Sequence, residues 1–153
     1  MKKRLLLFVL LAALAAGPAF SFGIGGAFGL NYVGGFGTGG MLSVKFDDSP
    51  VVLGVGARFG SGWFNIGVTA DWWLYETNLV KMLDLYLGPG LYANIGSGSF
   101  DVGVRIPVGL HIYVIDPLEL FLEIAPAIGV GLSPVVYFPS WGVQGAVGFR
   151  FWF

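Results

Sequence analysis

Residues 101–124 read DVGVRIPVGLHIYVIDPLELFLEI, and their arrangement in twos decides the fold. Even positions from 102 to 114 carry Val, Val, Ile, Val, Leu, Ile and Val, whereas Asp101, Arg105 and His111 fall on odd positions. A strand turns successive side chains to opposite faces, so one face is continuous aliphatic surface and the other collects charge. After Asp116-Pro117 the alternation resumes, with Glu119 and Glu123 set against Leu118, Leu120, Leu122 and Ile124.

The chain around this stretch is 153 residues long, 56% hydrophobic and only 11% charged, with a mean hydropathy of +0.78. That lies outside the soluble globular range and points to lipid. MKKR followed by LLLFVLLAALAA, with small residues at Ala19 and Ser21, predicts a cleavable signal peptide over residues 1–21 and a mature domain over 22–153. The apolar core of the leader is shorter than the roughly 20 residues that span a bilayer, which argues against a retained anchor. Without Lys2, Lys3 and Arg4, five of the eight basic residues remain against nine acidic ones, a formal charge of minus four. No basic patch for nucleic acid is left. The absence of cysteine excludes disulfides, thiolate metal sites and cysteine nucleophiles.

Hydropathy alone does not separate helices from strands, because Ile124 to Phe149 is uncharged and long enough for a membrane helix. Its composition does. Pro126, Pro134, Pro139 and several glycines lie in that stretch, and a helix interior loses roughly 1 kcal/mol per Gly and about 3 per Pro relative to Ala. The two-residue period predicts strands near 22–33, 39–46, 51–60, 63–76, 81–95, 100–114, 118–132 and 139–153. The stretches VGGFG, DDSP, SG, TNLV, GSGS, IDP and SPVVYFP lie between them as hairpin loops. In hydrocarbon every backbone polar group needs a partner, so strands cross only as a closed barrel. The predicted fold is all-β: an eight-stranded antiparallel up-and-down transmembrane β-barrel. Pro89, Pro107 and Pro126 each remove a ladder hydrogen bond, and bulges or bends are expected there.

A soluble barrel turns its apolar face to a cavity, whereas here the apolar face suits lipid and the Gly-rich, charge-bearing face suits a narrow interior. Aromatic residues form two girdles. Tyr32, Trp63, Tyr137, Phe138 and Trp141 mark one, and Phe46, Trp72, Trp73, Tyr75, Tyr113 and the run Phe149–Phe153 mark the other. The interior set is Lys45, Arg58, Arg105 and Arg150 against Asp71, Asp84, Glu119 and Glu123, with His111 and, nearer the rim, Asp101. Buried isolated charges are costly, so a balanced set implies mutual pairing. The GSGS turn predicts Asp84 opposite His111, Arg105 opposite Gly90 and Tyr86 opposite Gly109. The turn at Asp116-Pro117 predicts Tyr113 opposite Glu119 and Gly109 opposite Glu123. His111 with Asp84 could form two members of a catalytic triad, but an inward histidine with no serine beside it reads as structural. The run GIGGAFGLNYVGGFG lacks the Lys of a phosphate loop, and Asp47-Asp48 reads as a solvated turn. No catalytic residue, metal site or cofactor is expected.

The C-terminal AVGFRFWF, with Phe149, Phe151 and Phe153 alternating, resembles the signal by which outer-membrane barrels are recognised by the barrel-assembly machinery. GVRIPVGL followed by PLELFLEIAP resembles small outer-membrane barrels of spirochaetes and other diderm bacteria, related in architecture to OmpX and the OmpA membrane domain. The resemblance implies eight strands, no established reaction, export by the general secretory pathway and residence in the bacterial outer membrane. It also implies outer-membrane lipid, the assembly machinery and periplasmic chaperones as partners of a monomer. The loops at 34–38, 61–62, 96–99 and 133–138 are shorter than those that protrude in adhesins of the OmpX type. A non-enzymatic structural or envelope-interaction role is the first expectation, a narrow channel the second and a lipid-modifying enzyme the third.

Overall fold

The computed structural model describes residues 21–32 and 39–153. Apart from Ser21, the expected signal peptide lies outside the described residues, as does the VGGFG loop. Eleven strands follow one another: β1 (Phe22–Tyr32), β2 (Gly39–Phe46), β3 (Val51–Gly60), β4 (Trp63–Trp72), β5 (Tyr75–Val80), β6 (Leu83–Leu87), β7 (Gly90–Gly96), β8 (Ser99–Arg105), β9 (Val108–Ile115), β10 (Leu118–Ser133) and β11 (Tyr137–Trp152). They make eight staves, since β4 continues as β5, β6 as β7 and β8 as β9. Every pairing is antiparallel, and β11 pairs with both β10 and β1, which closes the sheet into a barrel.

The three interrupted staves break side by side at Trp73-Leu74, Gly88-Pro89 and Ile106-Pro107. Trp72 N–H donates to Pro89 C=O at 2.9 Å, Gly88 N–H to Pro107 C=O at 3.2 Å and Ile106 N–H to Pro126 C=O at 3.0 Å, carrying the wall across the break. Proline has no N–H to give to the ladder, which accounts for the interruptions at Pro89 and Pro107. Pro126 breaks nothing. It sits within β10 opposite Val143, where β10 changes its other neighbour from β9 to β8.

One expected loop is a strand. Thr77-Asn78-Leu79-Val80 belongs to β5, and the turn falls at Lys81-Met82, with Lys81 at φ 50°. Thr, Leu and Val suit an extended backbone, and Asn78 serves the turn from within the strand. Its side-chain amide donates to Lys81 C=O and to Asp84 Oδ1, each at 2.8 Å. The stave also gains one residue at the break: Trp73 is buried, Leu74 and Tyr75 are both exposed, and the Glu76 carboxylate reaches an inward histidine. The extra residue reverses the alternation beyond it. Trp73 keeps the inward parity of Thr69 and Asp71 and so enters the lumen rather than the girdle predicted for it, and beyond the extra residue Glu76 turns to the same side. The hairpins at Ser61-Gly62 and Ser97-Gly98 are tight, and both glycines take φ +77°.

The outer face is apolar around the barrel, with Leu53, Ile66, Leu91, Val104, Leu122 and Val147 all exposed. The buried set is mostly polar or charged, the reverse of a water-soluble domain.

Candidate functional site

The lumen holds the chemistry. Inward positions of β4, β6, β8, β9, β10 and β11 aim their side chains at a common centre, and glycines opposite them provide room. Arg105 faces Gly90 across the β7–β8 pair, and Tyr86 faces Gly109 across β6–β9. A Cβ at Gly109 would collide with the Tyr86 ring.

Two clusters share the centre. In the first, Arg105 Nε lies 3.0 Å from Asp71 Oδ1, Nη2 contacts Glu123 Oε1, and Nη1 donates to Gln144 Oε1 at 2.7 Å. Tyr86, wholly buried, donates its hydroxyl to Glu123 Oε2 at 2.9 Å. In the second, Arg150 Nη1 donates to Glu119 Oε1 at 2.6 Å and Nε to Ser43 Oγ at 2.9 Å, while Trp152 Nε1 donates to Glu119 Oε2 at 2.7 Å. His111 Nδ1 is 3.4 Å from Glu119 Oε1 and Nε2 is 3.2 Å from Glu76 Oε1.

Aromatic rings join the clusters. Trp73 stacks on Tyr86 with 3.5 Å between ring centres and 14° between planes, and the Arg150 guanidinium lies 4.0 Å from the centre of Phe121. Lys45 contacts no carboxylate among the described residues; its ammonium lies over Trp73 and Trp152, 5.0 and 5.2 Å from their ring centres. Such cation–π contacts in a desolvated site are worth up to about 2 kcal/mol.

Of the residues singled out in the sequence, Asp71, Arg105 and Glu123 meet in one cluster and His111, Glu119 and Arg150 in the other. Asp84 stands opposite His111 in the β6–β9 register, but its carboxylate accepts from Asn78. Asp101, also buried, accepts from Asn94 Nδ2 at 3.0 Å. Arg58 lies apart from both clusters, 5.6 Å from the centre of the Trp63 ring. Phe149, Phe151 and Phe153 are exposed on the outside of the closing stave, and Phe153 exchanges backbone hydrogen bonds with Phe22 at 3.2 and 3.0 Å. Gln144 and Ser43 share the inward parity of Arg150 and Lys45, so periodicity could have found them. Glu76 carries no such signal, because the extra residue before it is invisible in the composition.

Apolar outside, charged and filled inside, closed along its seam: this molecule is an eight-stranded barrel of the membrane-spanning kind. Among solved structures it is similar to a major outer membrane protein from Thermus thermophilus, with a TM-score of 0.56 and 16% identity over 89% of this chain and 100% of that one. Neisserial surface protein A matches at a TM-score of 0.44 and 16% identity, over 89% of this chain and 98% of that one. Ail, the attachment invasion locus protein of Yersinia pestis, matches at 0.40 and 15%, over 88% and 97%. At these identities the likeness is one of fold. No family model matches the sequence, and no curated protein matches it.

Proposed function

We propose that this chain is a non-enzymatic integral protein of the bacterial outer membrane that contributes to envelope structure, with a lumen sealed by its own side chains. The observation that carries this reading is the pair of linked clusters around Arg105 and Arg150, with Trp73 stacked on Tyr86 between the walls. An eight-stranded barrel leaves an interior that side chains can fill, and here charged and aromatic groups occupy it. His111 is enclosed by carboxylates and rings, which suits a structural group better than a catalytic base presented to a lipid substrate.

A narrow channel is the second reading, favoured by the buried glycines Gly56 and Gly67, which face each other across the β3–β4 pair. In the first reading the outward Phe149, Phe151 and Phe153 act during biogenesis, as the strand that the barrel-assembly machinery takes up after periplasmic chaperones deliver the chain. Outer-membrane lipid then covers the mature monomer. The test is a deletion strain. Loss of the protein should sensitise cells to detergents and bulky antibiotics, with the protein recovered in the outer-membrane fraction of the parent. Recovery in another fraction, or an unaltered permeability barrier, would contradict the proposal.

A further inference from the structure

Among the described residues, closure of the barrel leaves one strand with a single neighbour. β5 pairs with β6 alone, because β3, the partner of β4, begins at Val51 opposite Trp72. The chain turns through Asp47–Pro50 where a neighbour of β5 would continue, and the bond from Trp73 N–H to Pro50 C=O, at 2.8 Å, is made at that corner. Six residues at about 3.3 Å each give roughly 20 Å of edge whose outward N–H and C=O groups have no ladder partner among the described residues. The edge is flanked on the outside by exposed Tyr75, Leu79 and Val80, and unpaired backbone beside an apolar, lipid-facing surface is costly.

We propose that β5 is a docking edge for an extended, basic segment of a partner polypeptide, which adds as a strand beside Tyr75–Val80 at the rim where Phe22 and Phe153 meet. This rests on the membrane placement given above. A second copy does not fit. Antiparallel pairing of two β5 edges would point the barrels in opposite directions through the bilayer, and parallel pairing about a two-fold axis would set the inner face of one against the outer face of the other. Charge selects the chemistry of the partner. Glu76 lies on β5 and Asp47 and Asp48 lie in the turn that ends the neighbouring stave, while Lys81 is the one cation at the hairpin tip. A strand with apolar residues continuing the row of Tyr75 and Leu79, and lysine or arginine alternating with them, satisfies both the ladder and the acids.

The natural protein has no cysteine, so Leu79→Cys on β5 and Leu120→Cys on β10, exposed and paired on both sides with Phe149 and Ile112, each give one reactive site near the same rim. The probe is a synthetic peptide of alternating Val and Lys bearing one cysteine, offered with an added oxidant to protein in nanodiscs of zwitterionic lipid. Heat-dependent mobility of each variant in SDS establishes insertion first, so a failure of membrane placement is seen separately. The peptide should form a disulfide with Leu79→Cys at least tenfold faster than with Leu120→Cys. N-methylation of alternate peptide bonds should abolish that difference, and a Val–Glu peptide or the added Glu76→Gln change should reduce the rate at least threefold. Equal rates at the two sites, or an N-methylated peptide that reacts as fast, would overturn strand addition. An acidic peptide that reacts as fast as the basic one would overturn the assignment of a basic partner.

Discussion

Replacing Arg105 with leucine removes one guanidinium from three groups at once: the Asp71 and Glu123 carboxylates and the Gln144 side-chain carbonyl. Arg105, Asp71 and Glu123 are all buried, so water does not readily take over. Loss of a single neutral hydrogen bond costs about 1 kcal/mol, whereas a buried pair broken by removing one partner costs about 3–5 kcal/mol. Two stranded carboxylates place Arg105→Leu in the upper range. Asp48→Asn, in an exposed turn, should stay within about 0.5 kcal/mol of the parent. Guanidinium unfolding in detergent, followed by tryptophan fluorescence, measures both. Removing the orphaned charges in the triple change Arg105→Leu, Asp71→Asn and Glu123→Gln should recover much of the loss, because the cost lies in unpaired charge rather than in the missing side chain. A loss below about 1 kcal/mol for Arg105→Leu, against the 3–5 expected for a dry pair, would refute the reasoning and mean that water bathes the cluster.

Unheated protein should migrate in SDS differently from boiled protein, since a sheet closed through β11 and β1 resists local opening; identical mobility with a helical circular-dichroism spectrum would contradict the fold. Gly109→Val should destabilise by about 1–3 kcal/mol, because the new side chain meets the Tyr86 ring in a filled lumen, and chemical unfolding would show it. Deleting Phe153 should lower membrane insertion in cells more than refolding in detergent, where no machinery reads the terminal strand; equal insertion of full-length and truncated chains would refute that role.

The architecture was legible because each stave repeats one local rule. Leucines at 118, 120 and 122 against Glu119 and Glu123 fix which face of β10 looks outward, and tight turns then fix the pairing of neighbours. The Ser97-Gly98 hairpin carries the register that sets Arg105 opposite Gly90 in the β7–β8 pair, and the same sum places His111 opposite Asp84. Parity failed in one place. Alternation from Thr69 and Asp71 carries Trp73 inward, but nothing in TADWWLYETNLV shows that Glu76 joins it there, because a one-residue bulge reverses every later assignment without changing the composition. The same blindness ended the strand too early, at Glu76, and hid the free edge of β5. Which acid a buried cation chooses was equally out of reach. Register places Cα atoms opposite one another, but the reach of Arg105 to Glu123 and Gln144 and of His111 to Glu76 depends on side-chain direction within the lumen.

The sealed lumen is the central claim, and single-channel recording in planar bilayers tests it most directly. Aqueous porin channels use about 16–18 strands, whereas this barrel has eight staves, with Arg105, Glu123, Arg150, Glu119 and Tyr86 buried inside. Purified, heat-modifiable protein should give no steady conductance above the bare membrane at either polarity. Reproducible channels of constant size, with ion selectivity altered by Arg105→Glu, would contradict the account and make the narrow channel the function of the fold.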